Sequence, residues 1–77
     1  MSVKAYVLVV ADPGKTANVV STLRQVQGVK VVSEVTGPYD IVVELQVAQL
    51  ADLTELLRQR IRPVDGIRNT VTCVAMG

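Results

Sequence analysis

Val26-Gln27-Gly28-Val29-Lys30 returns 38 residues later, from 26 to 64, as Val64-Asp65-Gly66-Ile67-Arg68. Both stretches read apolar, polar, glycine, branched apolar, basic. Each follows a segment with helical spacing and precedes one with strand-like spacing. An offset of about half the chain indicates one supersecondary unit used twice.

Working outward, Lys15 to Val26 carries Val19, Val20, Leu23 and Val26 at helical spacing. Asp12 is placed to cap that helix, with Pro13 in its first turn. Gly28 suits a left-handed C-terminal cap. Val3 to Val10, rich in β-branched residues, reads as a strand, and so does Val29 to Thr36. Gly37-Pro38-Tyr39-Asp40 reads as a turn. Asp40 to Val47 is a third strand, with Ile41, Val43, Leu45 and Val47 on one face and Asp40, Val42, Glu44 and Gln46 on the other. Gln49 to Arg62 is a second helix whose apolar stripe is Leu50, Leu53, Leu56, Leu57 and Ile61. Pro63 ends it, and Ile67 to Met76 is the fourth strand.

The order β-α-β-β-α-β in a single domain, residues 1–77, predicts an α+β, ferredoxin-like fold: a four-stranded antiparallel sheet with strand order 4-1-3-2. Right-handed crossovers place both helices on one face. With Val3, Ala5, Val7 and Val9 beneath the helices, the other face shows Lys4, Tyr6, Leu8 and Val10. Arg68, Thr70, Thr72, Val74 and Met76 of the fourth strand are expected to share that open face. A half-apolar open face predicts a covering partner, and a second copy of the chain in a two-fold dimer fits best.

Composition points the same way. The chain has 77 residues, 49% of them apolar, with mean hydropathy +0.38. A domain this small buries only about 60% of its unfolded surface, so extra burial usually comes from a metal, disulfides or a partner. Cys73 is the only cysteine and there is no histidine, so neither an internal disulfide nor a zinc site is expected. Self-association remains. Eight basic and seven acidic residues give a net charge of +1, no electrostatic footprint for nucleic acid. No apolar run approaches the roughly 20 residues of a membrane span. The lone cysteine, and an N-terminus opening directly into a strand, point to the cytoplasm.

Little suggests catalysis. Gly14-Lys15-Thr16 has the tail of a phosphate-binding loop in the right place, between strand and helix. The motif needs glycine five positions earlier, where Val9 stands. It therefore reads as a helix start with a solvated Lys15. Cys73, mid-strand in an apolar stretch, is expected to be buried and structural. Glu34, Glu44, Asp52 and Glu55 read as surface charges. Arg58, Arg60 and Arg62 are expected on the back of the second helix, and Lys30 and Arg68 at solvated strand starts. Gly37-Pro38-Tyr39-Asp40 has more chemical content: backbone N–H groups for a carboxylate, Asp40 for an ammonium, and Tyr39 for an apolar side chain. The plainer alternative is an ordinary hairpin turn with Tyr39 as a half-buried lid.

Val35-Thr36-Gly37-Pro38-Tyr39-Asp40-Ile41-Val42-Val43 resembles the Val-Thr-Gly-x-Tyr-Asp-hydrophobic segment of the Lrp/AsnC (feast/famine) regulators, in their C-terminal effector-binding, or RAM, domain. The Pro-Gly start of the first helix, Val-x-Gly-Val before the second strand, and Pro63-Val64-Asp65-Gly66-Ile67 followed by Thr70-Val71-Thr72 are similar too. The resemblance spans essentially the whole chain. It implies a dimer formed through the sheet, a dimeric α+β barrel-like assembly, and further association into tetramers, octamers or rings. It also implies an amino-acid effector at interfaces between dimers, contacted here by Gly37, Tyr39, Asp40, Thr70 and Thr72. Regulators of this family carry an N-terminal helix-turn-helix domain of some fifty residues, for which a first strand at Val3 leaves no room. The expectation is a stand-alone, non-enzymatic module without cofactor or metal. It would act indirectly in transcriptional or metabolic regulation and possess full-length relatives as candidate partners.

Three alternatives share the fold. One is a ligand-free assembly partner of full-length regulators. A second is an ACT-like amino-acid-binding domain, against which the Val-Thr-Gly-Pro-Tyr-Asp hairpin argues. The third is a small dimeric α+β barrel enzyme of the monooxygenase kind. That chemistry needs a pocket with an acid, base or aromatic platform, and this chain has no His, Trp or Phe.

Overall fold

The computed structural model of the chain describes residues 2–76. Strand β1 (Val3–Ala11) leads to helix α1 (Thr16–Arg24), then to strands β2 (Val29–Glu34) and β3 (Ile41–Val47). Helix α2 (Leu50–Leu56) runs into a π-helical turn (Leu57–Ile61), and strand β4 (Ile67–Val74) follows. The strands form one antiparallel sheet in the order β2-β3-β1-β4, the expected 4-1-3-2 order read from the other edge. The fold is ferredoxin-like.

Alternation decides which face the helices cover. Ala5, Val7 and Val9 of β1 and Ile41, Val43 and Leu45 of β3 are fully buried. Val19 and Leu23 of α1, Leu53 of α2 and Ile61 of the π turn join them in a single core. Tyr6, Leu8 and Val10 of β1 and Val42 of β3, on the other face, are half-buried. No polar or charged residue is buried among the described residues. The core is therefore held by apolar packing alone, with the backbone polar groups satisfied in the sheet and helices.

The repeated glycines are used alike. Gly28 and Gly66 both take positive φ, 99° and 103°. The Gly28 carbonyl accepts from the Gln46 N–H at 2.9 Å, and the Gly66 carbonyl accepts from the Asp12 N–H at 2.8 Å. Each glycine thus ties the end of its own half to a strand of the other. In both ladders the register then shifts: Val29 pairs with Leu45 but Val31 with Glu44, and Ala11 pairs with Ile67 but Val10 with Asn69. The residues passed over are Lys30 and Arg68, the basic ends of the two repeats.

The structure corrects several expectations. Helix α1 begins at Thr16, with Lys15 at the cap position and no side-chain cap. Asp12 does not cap it. Its main-chain carbonyl accepts from the Lys15 N–H at 3.0 Å in a tight turn, and its carboxylate accepts from Arg68 Nε at 3.1 Å. The second helix is not α-helical to Arg62: the chain widens at Leu57, and the Arg62 N–H reaches back five residues to the Leu57 carbonyl at 2.9 Å.

Thr70, Thr72 and Val74 are not on the open face either. They pair directly with Val9, Val7 and Ala5, and directly opposed residues share a face, so they lie on the helix side at the sheet edge. Asn69, Val71 and Cys73 take the open face instead. The shift at Arg68 sets that register, and a one-residue slip reverses every side chain of a strand. Cys73 is exposed rather than buried. Edge strand β4 has a neighbour on one side only, so an apolar sequence there does not ensure burial in a single chain.

Candidate functional site

The β2–β3 hairpin is closed by the Val35 N–H donating to the Asp40 carbonyl at 2.9 Å. Between them Gly37 takes φ 147°, a conformation that L side chains rarely adopt, and open space surrounds it. The N–H groups of Thr36, Gly37 and Tyr39 meet no protein acceptor among the described residues. Tyr39 is half-buried. The turn therefore presents backbone donors beside one aromatic ring.

Asp40 has a structural task that the sequence did not reveal. Its N–H extends the sheet by donating to the Val9 carbonyl at 2.9 Å, and its Oδ2 accepts from the Ala11 N–H at 2.8 Å. The carboxylate thus takes the place of a ladder acceptor for Ala11 on the β3 side of β1, beyond Val9–Ile41, where the β1–β3 pairing ends. Its Oδ1 makes no hydrogen bond among the described residues.

Thr70 and Thr72 are half-buried and stand across β1 from the hairpin. Val9 lies between them, paired with Ile41 on one side and Thr70 on the other. With adjacent strands about 4.8 Å apart, β3 and β4 are separated by roughly 10 Å. The single chain therefore brings Gly37, Tyr39 and Asp40 together and sets Thr70 beyond the same end of β1. It does not enclose the five residues in one pocket.

Two clefts flank the ends of the repeats. The larger, of about 620 Å³, is lined by Gln27, Gly28 and Lys30 from the first repeat, Asp52 and Glu55 from α2, and Gln59 and Arg60 from the π turn, among others. The smaller, of about 400 Å³, is lined by Arg62, Ile67, Arg68, Asn69 and Thr70. Each sets the basic end of a repeat against an arginine at the end of the second helix. The larger also contains carboxylates. The smaller does not, and it contains Thr70. Among the described residues no cluster of three or more His, Cys, Asp or Glu could hold a metal ion, and no helix is long and apolar enough to cross a membrane.

The profile of the Lrp/AsnC ligand-binding domain matches residues 4–77. The chain belongs to this family. Among Lrp/AsnC relatives, an uncharacterized HTH-type transcriptional regulator of Pyrococcus abyssi is 33% identical over 70 residues, 91% of this chain and 44% of that protein. The chain thus spans less than half the length of that regulator. A homocitrate synthase of Saccharolobus islandicus is 34% identical over 61 residues, 79% of this chain but only 13% of the enzyme. Among solved structures, FFRP-DM1 superposes with a TM-score of 0.92 at 32% identity, covering 96% of this chain and 99% of that one. A feast or famine regulatory protein from M. tuberculosis, complexed with L-methionine, superposes with a TM-score of 0.82 at 26% identity, covering 97% of this chain and 50% of that one. The Lrp/AsnC fold and a regulatory ligand-binding domain are thereby assigned.

Sequence reasoning overlooked two residues of the smaller cleft. Arg62 reads from spacing as lying on the back of the helix, and Arg68 is exposed as expected; what spacing does not show is that the two line one cleft. The available signal was the recurrence of a basic residue two positions after each glycine.

Proposed function

We propose that this domain binds a small amino-acid effector and assembles with further copies of itself, so that effector binding changes the assembly and thereby a regulatory output. The observation that carries this reading is the family assignment joined to the relative complexed with L-methionine. The site's form is in keeping with it. Gly37 and Tyr39 offer backbone donors and a ring, Asp40 Oδ1 an acceptor for an ammonium, and Thr70 and Thr72 hydroxyls. All five lie toward surfaces a second copy could cover. A site completed between copies accounts for residues that one chain leaves apart. In this reading the domain acts in the cytoplasm through contact with other regulators, and a net charge of +1 offers little electrostatic support for direct DNA reading. The domain has no catalytic role in this reading; its partial match to a homocitrate synthase fits a regulatory module attached to an enzyme.

The open sheet face supplies the assembly surface. Tyr6, Leu8, Val10, Val42 and Val71 give it an apolar centre, and Val71 remains 39% exposed in the single chain. Two such faces stacked about a two-fold axis would bury that centre.

A thermal-shift panel against the twenty amino acids, paired with light scattering, tests both parts. A ligand at 100 times its Kd adds about 2.7 kcal/mol to the folded state. Each kcal/mol moves the midpoint by about 4–8 °C in a domain this small. One or a few amino acids should raise the midpoint and alter the oligomer distribution. No response from any of them would overturn the effector reading, and a monomer at all concentrations would overturn the assembly reading.

A further inference from the structure

We propose that the cleft of Arg62, Ile67, Arg68, Asn69 and Thr70 is an anion site for a carboxylate. On the effector reading, on which this assignment rests, it holds the effector's α-carboxylate.

Two separate irregularities deliver the arginines. Regular α-helical spacing would leave Arg62 on the back of the second helix. The π turn widens the path, keeps Ile61 fully buried, and swings Arg62 to the flank that faces β4. Insertions of this kind are frequent at functional sites. On the other wall, the register shift between Val10 and Ala11 leaves Arg68 without a ladder partner. Shifts of this kind re-aim a side chain. Both irregularities end at the same cleft.

The charge pattern selects the ligand. Arg62 makes no ion pair among the described residues. Arg68 gives its Nε to Asp12 at 3.1 Å, which fixes the guanidinium plane while its terminal nitrogens make no hydrogen bond among the described residues. No carboxylate lines the cleft itself. With Asp12 offsetting one of the two guanidinium charges, the net local charge is that of a single cation. A monoanionic carboxylate matches this better than a dianionic phosphate. Planar guanidinium groups also suit a carboxylate in the two-pronged mode. Thr70, on the helix side of β4, adds a neutral hydroxyl donor, and half-buried Ile67 offers apolar surface to a carbon chain. A cleft of about 400 Å³ falls within the roughly 300–1,000 Å³ of small-molecule sites. The larger cleft offers the internal contrast: Asp52 and Glu55 stand beside Lys30 and Arg60 there, so an anion gains nothing.

The test compares the intact chain with Arg62→Gln, Arg68→Gln and, as a control on the same turn, Arg58→Gln. The ligands are the amino acid giving the largest thermal shift, its primary amide, acetate and inorganic phosphate. The amino acid should bind the unaltered chain at least tenfold more tightly than its amide. Arg62→Gln and Arg68→Gln should each weaken it about tenfold to a hundredfold, the loss of a charge-assisted hydrogen bond, while Arg58→Gln leaves it unchanged. Acetate should shift the Asn69 and Thr70 amide resonances more than phosphate does, and Arg62→Gln should abolish the shift. Equal binding of acid and amide, or full affinity in folded Arg62→Gln and Arg68→Gln, overturns the assignment. Phosphate preferred over acetate overturns the carboxylate specificity. If no amino acid binds yet acetate does, the effector reading fails while the anion site stands; if acetate is also silent, the site falls as well.

Discussion

The two halves of the chain carry the same apolar–polar–glycine–apolar–basic segment and the same backbone turn, yet the structure loads them differently. Around Gly28 there is ordinary van der Waals room: an added Cβ would meet Leu56 Cδ2 at 3.4 Å. Around Gly66 there is none, because an added Cβ would sit 2.9 Å from both Lys15 Cβ and Val19 Cγ2. Each glycine lies beneath the other half's helix, but α1 presses on Gly66 harder than α2 presses on Gly28. The basic residues differ as well. Lys30 opens onto a cleft of mixed charge, Arg68 onto one whose lining is only basic, neutral or apolar. One motif thus serves in both halves as a tie between them, and in the second half also as the wall of a candidate site.

Substitutions at the two glycines should break this comparison most sharply. Gly66→Ala combines backbone strain with overpacking and should cost about 2–5 kcal/mol. Gly28→Ala meets strain alone and should cost about 1–2 kcal/mol. Urea denaturation at matched protein concentration would check both. Equal losses would mean that the tighter packing under α1 relaxes without cost, and that the halves are equivalent after all.

Asp40→Ala should come next. It leaves the Ala11 N–H without its acceptor at the end of β1, a loss of about 1–3 kcal/mol. Asp40→Asn keeps an acceptor oxygen there and should recover most of it. If the alanine variant is as stable as the parent and loses only effector binding, Asp40 belongs to the ligand alone. The geometry at Ala11 argues for a share in both.

The smallest effect is expected at the link between the halves on the surface. Lys15 Nζ lies 3.3 Å from Asp65 Oδ1, with both side chains well exposed. Asp65→Asn should therefore change stability by less than about 1 kcal/mol, and less again at high salt. A larger loss in thermal denaturation would show that this pair, and not only the glycine beneath it, holds the second repeat against α1.

Much of this was legible in the sequence because it rests on local periodicity. The alternation in Ile41–Val47, the stripe of Leu53, Leu57 and Ile61, and the twin glycines give element type, order and the buried face, since each is a property of a few neighbouring residues. The hairpin at Gly37–Asp40 could be found in the same way. The tertiary structure alone decided the rest. It placed Thr70 and Thr72 on the helix side, because the β4 register depends on where Ile67 meets Ala11 across 56 residues of chain. It gave Asp40 to the Ala11 N–H, because only the assembled sheet leaves that donor without a ladder partner. It brought Arg62 and Arg68 to one cleft, because a π turn and a register shift arise from packing Ile61 and Ile67 against the same core. Side-chain spacing along a segment reports which residues face inward. It carries no information on how two distant segments slide against each other, and that sliding set the candidate site.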